Sequence, residues 1–386
     1  MSSLEVPMNP NFSSGPCAKR PGWNVSVLKN ALVGRSHRSK ESLEKINKVI
    51  ADIKTILDLP KNYEVALVGG SDTGAFEMAM WNLLGHKPVE ILAWEAFGND
   101  WITDVVEQLK IKNTKLVQSD YGLLPNLKNI CFDNDVVFTW NGTTSGVKIP
   151  NGEWIKENRK GLTLCDATSA VFAMDLPWNN LDVTTFSWQK VLGGEAQHGV
   201  IILSKRAVER LEEYNPPWPI PKLFRITKEG KFQTKIFQGN TINTPSLICI
   251  EDAIDALNWV KKIGGLKEMI NRSANNLKII EKWVVNTKWI DFVAEKKETR
   301  SSTSICLKIV DPWFTSLSNE DKSNIIQFVS EMLAKYKVAY DINSYPSAPS
   351  GIRIWGGGTI EKKNIELLLP WLDWIWQKTK IKYNQH

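Results

Sequence analysis

The chain has 386 residues, 42% of them hydrophobic and 23% charged. That balance is ordinary for a globular protein and excludes a disordered or fibrous chain, and the length suits about two or three domains. The net charge of +6 is spread along the sequence, so it does not choose between an anionic small substrate and a nucleic acid.

The N-terminus, MSSLEVPMNPNFSSGP, has no basic stretch followed by an apolar one, so no signal peptide is expected. Glu41–Leu57 places Leu43, Ile46, Ile50, Ile53 and Leu57 three and four residues apart, which predicts an amphipathic helix. Glu64–Val68 reads as a short strand, Ala75–Leu84 as a helix, Val89–Trp94 as a strand and Trp101–Leu109 as a helix. Asp135–Trp140, Leu162–Cys165, Val183–Ser187 and Gly199–Ser204 are further strands. All are too apolar for a solvent-facing edge, so a mostly parallel sheet covered on both faces is expected.

Tyr214–Pro221 (YNPPWPIP) excludes regular structure, because proline fixes φ and removes donors. Thr244–Trp259 reads as a helix with Pro245 in its first turn. Beyond it, Ile290–Ala294, Ser304–Ile309 and Val338–Ile342 read as strands, and Lys322–Lys335 and Lys362–Trp376 as helices. The fold class is therefore α/β, with a large domain over 15–260 and a smaller C-terminal α+β domain over 261–386. Residues 1–14 form an N-terminal segment expected to pack with the small domain. No apolar run reaches the roughly 18 residues of a membrane span, so a cytoplasmic protein is expected. Five cysteines without a CxxC pair, and four histidines, argue against a disulfide framework and a metal centre.

Three features carry chemistry. Gly69-Gly70-Ser71-Asp72-Thr73-Gly74-Ala75 follows a strand and opens a helix, an arrangement that binds anions through exposed amides. The plain alternative is an ordinary helix start. Asp166 ends an apolar strand, at the sheet edge where open α/β sheets bind ligands; it could equally cap a helix. Lys190 follows another strand within apolar flanks, where burial favours the neutral, Schiff-base-forming amine; most lysines are simply solvated. Together they suit pyridoxal phosphate, which needs an anion site, a carboxylate at its pyridine nitrogen and a lysine.

At this point a resemblance carries further. Asn11–Trp23 (NFSSGPCAKRPGW), Ser36–Glu41 (SHRSKE), Gly69–Ala75, Asn141–Gly146 (NGTTSG), Asp166, Ser187–Gly194, Asn243–Pro245 (NTP) and Gly351–Trp355 (GIRIW) occur in order. The chain resembles the phosphoserine aminotransferases, class V enzymes of the fold-type I pyridoxal-phosphate superfamily, and within them an archaeal and proteobacterial subgroup. The resemblance implies that Lys190 is the Schiff-base lysine and that Asp166 pairs with the ring nitrogen. Trp101 would stack on the ring, although it is one of 17 tryptophans and could simply pack a helix. Thr143 would lie near the ring hydroxyl. Gly74, Ala75 and Gln189 would bind the cofactor phosphate, with Asn243 and Thr244 supplied by the neighbouring subunit of a homodimer. Arg353 would hold the substrate α-carboxylate, and His37 and Arg38 its distal phosphate; without the resemblance these two read as a basic turn.

The implied reaction transfers an amino group between glutamate and 3-phosphohydroxypyruvate, giving phosphoserine and 2-oxoglutarate in serine biosynthesis. A second role in pyridoxal phosphate biosynthesis stays open. The alternative is another class V enzyme, such as an alanine–glyoxylate or serine–pyruvate aminotransferase. Cys249 and Cys306 read as core residues, against a cysteine desulfurase. Lysine-rich helices alternate charged with apolar residues, against a nucleic-acid binder. One departure stands out: Thr73 occupies the place of the family's loop arginine, and the adjacent Asp72 would repel phosphate. Arg35, Lys19, Arg20 and His198 are the cations that could compensate, and His198 could also be a simple turn residue.

Overall fold

The computed structural model describes residues 4–383. Residues 1–3 of the expected N-terminal segment and 384–386 of the expected small domain lie outside the described residues.

Seven strands form the main sheet: β1 (Glu64–Gly69), β2 (Val89–Ala93), β3 (Thr114–Gln118), β4 (Asp135–Thr139), β5 (Thr163–Asp166), β6 (Val183–Ser187) and β7 (His198–Leu203). Their order is β1-β7-β6-β5-β4-β2-β3. Only β7 runs against the others. Strands β2, β4, β5, β6 and β7 are buried throughout, as near-continuous Val/Ile/Leu segments covered on both faces should be. Strand β3 is the exposed edge, and nothing in the sequence announces it: Thr114, Lys115 and Gln118 interrupt its apolar run. Strand β1 is also terminal in the sheet, yet stays buried because Thr234–Gln238 packs beside it.

Helix α1 (Lys40–Ile56) buries Ile46, Val49, Ile50, Ile53 and Ile56. Ser39 caps it by accepting from the Ser42 amide, and Glu41 and Lys54 sit at the dipole ends that favour each charge. Helix α2 (Ser71–Leu83) begins four residues before the expected start, and α3 (Ala96–Thr103) begins five before. Helix α4 (Lys205–Glu213) follows β7.

Pro245 lies outside helix α5 (Leu247–Ile263), because Ser246 is the N-cap and accepts from the Cys249 amide. Gly264 ends α5 at φ 118°, a left-handed conformation that suits glycine, and α6 (Gly265–Val285) starts at once.

A second, antiparallel sheet joins β8 (Ile290–Phe292), β9 (Ser304–Ile309) and β10 (Gly351–Trp355). Val338–Ile342 is not a strand: Lys337 and Asp341 have φ of 57° and 55°, which breaks an extended run at both ends. What survives is one bridge from Tyr340 to Asn11. Helices α7 (Asn319–Lys335) and α8 (Lys362–Tyr383) pack with this sheet, and Trp289 stacks on Trp376 at 4.8 Å. The N-terminal segment lies along it: the Tyr340 amide donates to Pro10 O, and the Trp355 amide to Phe12 O.

Among the described residues no helix is long and apolar enough to cross a membrane.

One buried ion pair fastens α4 beneath the main sheet. Arg210 donates to Asp135 at 3.0 Å, and Asp135 also accepts from the Leu162 amide at 2.8 Å. Removing one partner of such a pair leaves a buried charge and costs about 3–5 kcal/mol. Asp135→Ala should lose that much stability in urea unfolding, and Asp135→Ala with Arg210→Met should recover most of it.

Candidate active site

The carboxyl ends of β4, β5 and β6 open into a cleft of about 210 Å³. Asp166, the last residue of β5, accepts from the Thr168 amide (3.0 Å) and from Trp101 Nε1 (3.1 Å). Trp101 is positioned by the start of α3. There the buried Glu95 caps the Gly98 amide and also accepts from the Thr144 amide and hydroxyl. Burial pushes the Glu95 carboxyl above its ordinary value. The Trp101 ring lies 4.9 Å from Phe76 and lines the cleft, so its indole both walls the site and holds Asp166.

Lys190 enters from the turn after β6, and its Nζ donates to Ser14 O at 2.6 Å. Burial lowers its pKa from the usual lysine value, and the Arg353 guanidinium adds to that push. Thr143 Oγ1 shares a hydrogen bond with Ser169 Oγ at 2.9 Å. Arg353 lies on β10 opposite Cys306, with its Nε buried and without a hydrogen-bond partner. The structure therefore brings together Lys190, Asp166, Trp101, Thr143 and Gln189 around one cleft, with Arg353 close by.

Phosphate donors sit differently from the sequence expectation. The Gly74 amide is spent on Gly70 O, and Ala75 is fully buried; neither lines the cleft. The orphan amides of the first turn of α2 are those of Asp72 and Thr73, which do line it. Gly74 is required for packing instead, since a Cβ there would lie 2.3 Å from Gly69 O.

Asp72 is also not aimed at a ligand phosphate from outside. It is buried and faces Asp166.

His37, Arg38, Asn243 and Thr244 do not line the cleft within this chain. Arg38, Asn243 and Thr244 are exposed, and His37 is half-buried with an unpartnered Nε2.

The four compensating cations fare unequally. Lys19 pairs with Asp252 (2.7 Å) and Glu195 (2.9 Å), and Arg20 with Asp255 (2.7 Å). Arg35 makes only an exposed pair with Glu41, a weak tie in water. His198 begins β7 rather than lying in a turn. It is buried against Trp188, its Nε2 accepts from the Ser246 amide, and burial lowers its pKa to about 4. It is neutral and offers no charge to a substrate.

The cleft suits a polar ligand. Thr139 Oγ1, Asn141 Oδ1, Thr168 Oγ1, Ser187 Oγ and Gln189 Oε1 are buried around it without hydrogen-bond partners. Buried polar groups are normally satisfied, so those of Thr139, Asn141, Ser187 and Gln189 fit a polar bound group, while the Thr168 hydroxyl faces Asp72. A larger groove of about 960 Å³ between α7 and the Asn343–Ser350 segment contains none of these residues.

The sequence model described as Aminotransferase class-V matches residues 25–325. The chain belongs to the class V aminotransferases. It is 54% identical over 380 residues to a protein of Methanosarcina mazei named phosphoserine aminotransferase, covering 98% of this chain and all of that one. A protein of the same name from Methanosarcina barkeri is 53% identical over the same share. A solved structure of a phosphoserine aminotransferase from Cytophaga hutchinsonii superposes with a TM-score of 0.80 at 22% identity, over 95% of this chain and 99% of that one. An alanine–glyoxylate aminotransferase structure from Nostoc sp. gives 0.76 at 17% identity, over 97% of each. The fold is thus shared by transaminases of different substrates and does not choose among them. As a class V aminotransferase the chain is a transaminase, and its cofactor is pyridoxal phosphate.

Residues that sequence reasoning missed include Glu95, Ser14 and the inward role of Asp72. A glutamate directly after a buried strand and just before Ala-Phe-Gly was a usable cue to the first; the other two depend on where distant segments meet.

His198 gives a pH test. Its folded pKa lies below the ordinary 6.5, so the unfolded chain takes up the proton first as pH falls. The site's stability is complete above that value and is lost as pH drops towards about 4. Urea midpoints measured over this range should fall for the native protein. His198→Asn should flatten the fall by up to about 3 kcal/mol.

Proposed function

We propose that this transaminase moves an amino group between glutamate and 3-phosphohydroxypyruvate, giving phosphoserine and 2-oxoglutarate. The observation that carries the proposal is the 54% identity, over nearly the whole chain, to a protein named phosphoserine aminotransferase.

The residues divide the work as follows. The orphan amides of Asp72 and Thr73, with Gln189, would hold the cofactor phosphate at the start of α2. Asp166 would hold the ring nitrogen, and Trp101 and Thr143, which line the same cleft, would wall the ring. Bound in this way, pyridoxal phosphate supplies an electron sink for the substrate Cα. Lys190 Nζ would be the base that accepts the substrate Cα proton and delivers it to C4′ of the cofactor. Burial suits it to that role, because only the neutral amine accepts a proton. Arg353 binds the α-carboxylate through its planar guanidinium.

His37 and Arg38 grip the distal phosphate across the interface of a homodimer, and Asn243 and Thr244 reach the other subunit's cofactor phosphate. Their exposure outside the chain's own cleft supports this arrangement. Among the cations considered for the missing loop arginine, Arg35 is the least committed and the best placed to help His37 and Arg38. The division at residue 260, with the N-terminal segment on the small sheet, and a cytoplasmic setting belong to the same proposal.

A visible spectrum of the cofactor-loaded protein tests it. Adding phosphoserine should convert the cofactor band. A band that answers to alanine or serine but not to phosphoserine would move the assignment to another class V reaction. Lys190→Ala should abolish turnover. His37→Ala with Arg38→Ala should raise KM for phosphoserine about 10- to 100-fold, the scale of lost charge-assisted hydrogen bonds, and leave cofactor binding intact.

A further inference from the structure

Beneath the Asp166 carboxylate lies a second one that the proposed reaction does not use. Gly70 and Ser71 take φ of 86° and 54°, and this turn directs Asp72 inward from the first turn of α2. Asp72 is only 5% exposed, and its Oδ1 has no hydrogen-bond partner. The groups acting on it are Asp166 together with the hydroxyls of Thr168 and Thr185. Cys165 on β5 and Lys190 also lie within electrostatic reach. The Cys165 thiol is buried and held far above its ordinary value, so it carries no charge. The Lys190 amine is turned to Ser14 O.

Asp72 and Asp166 line the same cleft, both are buried, and each feels the other, an arrangement that disfavours ionising both. The donors decide which one stays charged. Asp166 already accepts from the Thr168 amide and from Trp101 Nε1, one on each oxygen. Asp72 has an oxygen with none. We propose that Asp72 is a positioning residue: as a neutral carboxylic acid it donates a hydrogen bond to Asp166, leaving Asp166 the single ionised carboxylate at the ring nitrogen. Burial and then the neighbouring Asp166 charge raise the Asp72 pKa well above the usual aspartate value, outweighing the Thr168 and Thr185 hydroxyls, which pull it down. The inference rests on the pyridoxal phosphate reading for its purpose, but not for the proton itself.

The arrangement also accounts for an aspartate in a phosphate-binding turn. A neutral Asp72 does not repel the cofactor phosphate, while its backbone amide still faces it. Asp72→Asn keeps a donor and stays neutral. Asp72→Ala keeps neutrality and loses the donor.

Infrared difference spectra of the cofactor-free protein in heavy water, native minus Asp72→Asn at neutral pH, should show a protonated-carboxyl C=O band. Its absence would overturn the proposal. In the cofactor-loaded protein, the pH titration of the visible band should be nearly the same for Asp72→Asn and the native protein. It should shift by about one pH unit or more in Asp72→Ala, where Asp166 loses a donor. An Asn variant that shifts as far as the Ala variant would mean that Asp72 is ionised, and would also overturn the proposal. If Asp72→Ala fails to fold, the infrared band and the Asn titration still decide. No visible band in the loaded native protein would remove the cofactor reading, and the positioning role with it, while the infrared band would still report the proton.

Discussion

Asp166 receives two hydrogen bonds from opposite directions, from the Thr168 amide just beyond β5 and from the indole of Trp101 on α3. A charge that is about nine-tenths buried is costly unless it is satisfied in this way, so the site depends on both elements arriving together. Strand β5 brings the carboxylate because it ends at the carboxyl edge of the sheet between β4 and β6. Helix α3 brings the indole because Glu95 caps it and, through Thr144, ties it to the loop that carries Thr143. A change in either support moves the group expected to hold the ring nitrogen.

The lysine is placed by a different part of the chain. Residues 14–23 thread between the turn after β6 and helix α5. The Cys17 amide donates to Gln189 O at 2.8 Å, and Gly193 packs on Ala18 O so closely that a Cβ would sit 2.2 Å away. Lys19 and Trp23 Nε1 both bond Asp252, and Arg20 bonds Asp255 through two nitrogens. These pairs, which the sequence offered as substrate cations, anchor the segment instead. The anchored segment presents the Ser14 carbonyl to Lys190, so the amine has a fixed resting partner in a buried setting. His198 plays a related part from beneath, joining the start of β7 to the start of α5.

Local chemistry made much of this legible. The buried strands show in sequence because each is a short apolar run, and Asp166 and Lys190 stand out because charged residues directly follow such runs. The segments that failed have local causes too. Thr114–Gln118 is an edge strand whose outward residues are polar, and Val338–Ile342 is preceded by one left-handed residue, Lys337, and interrupted by another, Asp341. The resemblance implies Gly74 and Ala75 as phosphate donors, but α2 already starts at Ser71, so the Gly74 amide is spent on Gly70 O and the free first-turn amides are those of Asp72 and Thr73.

By itself, then, the sequence determined the α/β class, the order of most elements, and the lysine and aspartate at strand ends. Each of these follows from hydrophobic period or from the residue type beside an apolar run, and both are properties of neighbours in the chain. Only the tertiary structure decided which charges are spent. Lys19 and Arg20 are held by α5, His198 is kept neutral by burial, and Asp72 turns to face Asp166. Those outcomes depend on desolvation and on partners up to 235 residues away, and neither is written in any local stretch of residues.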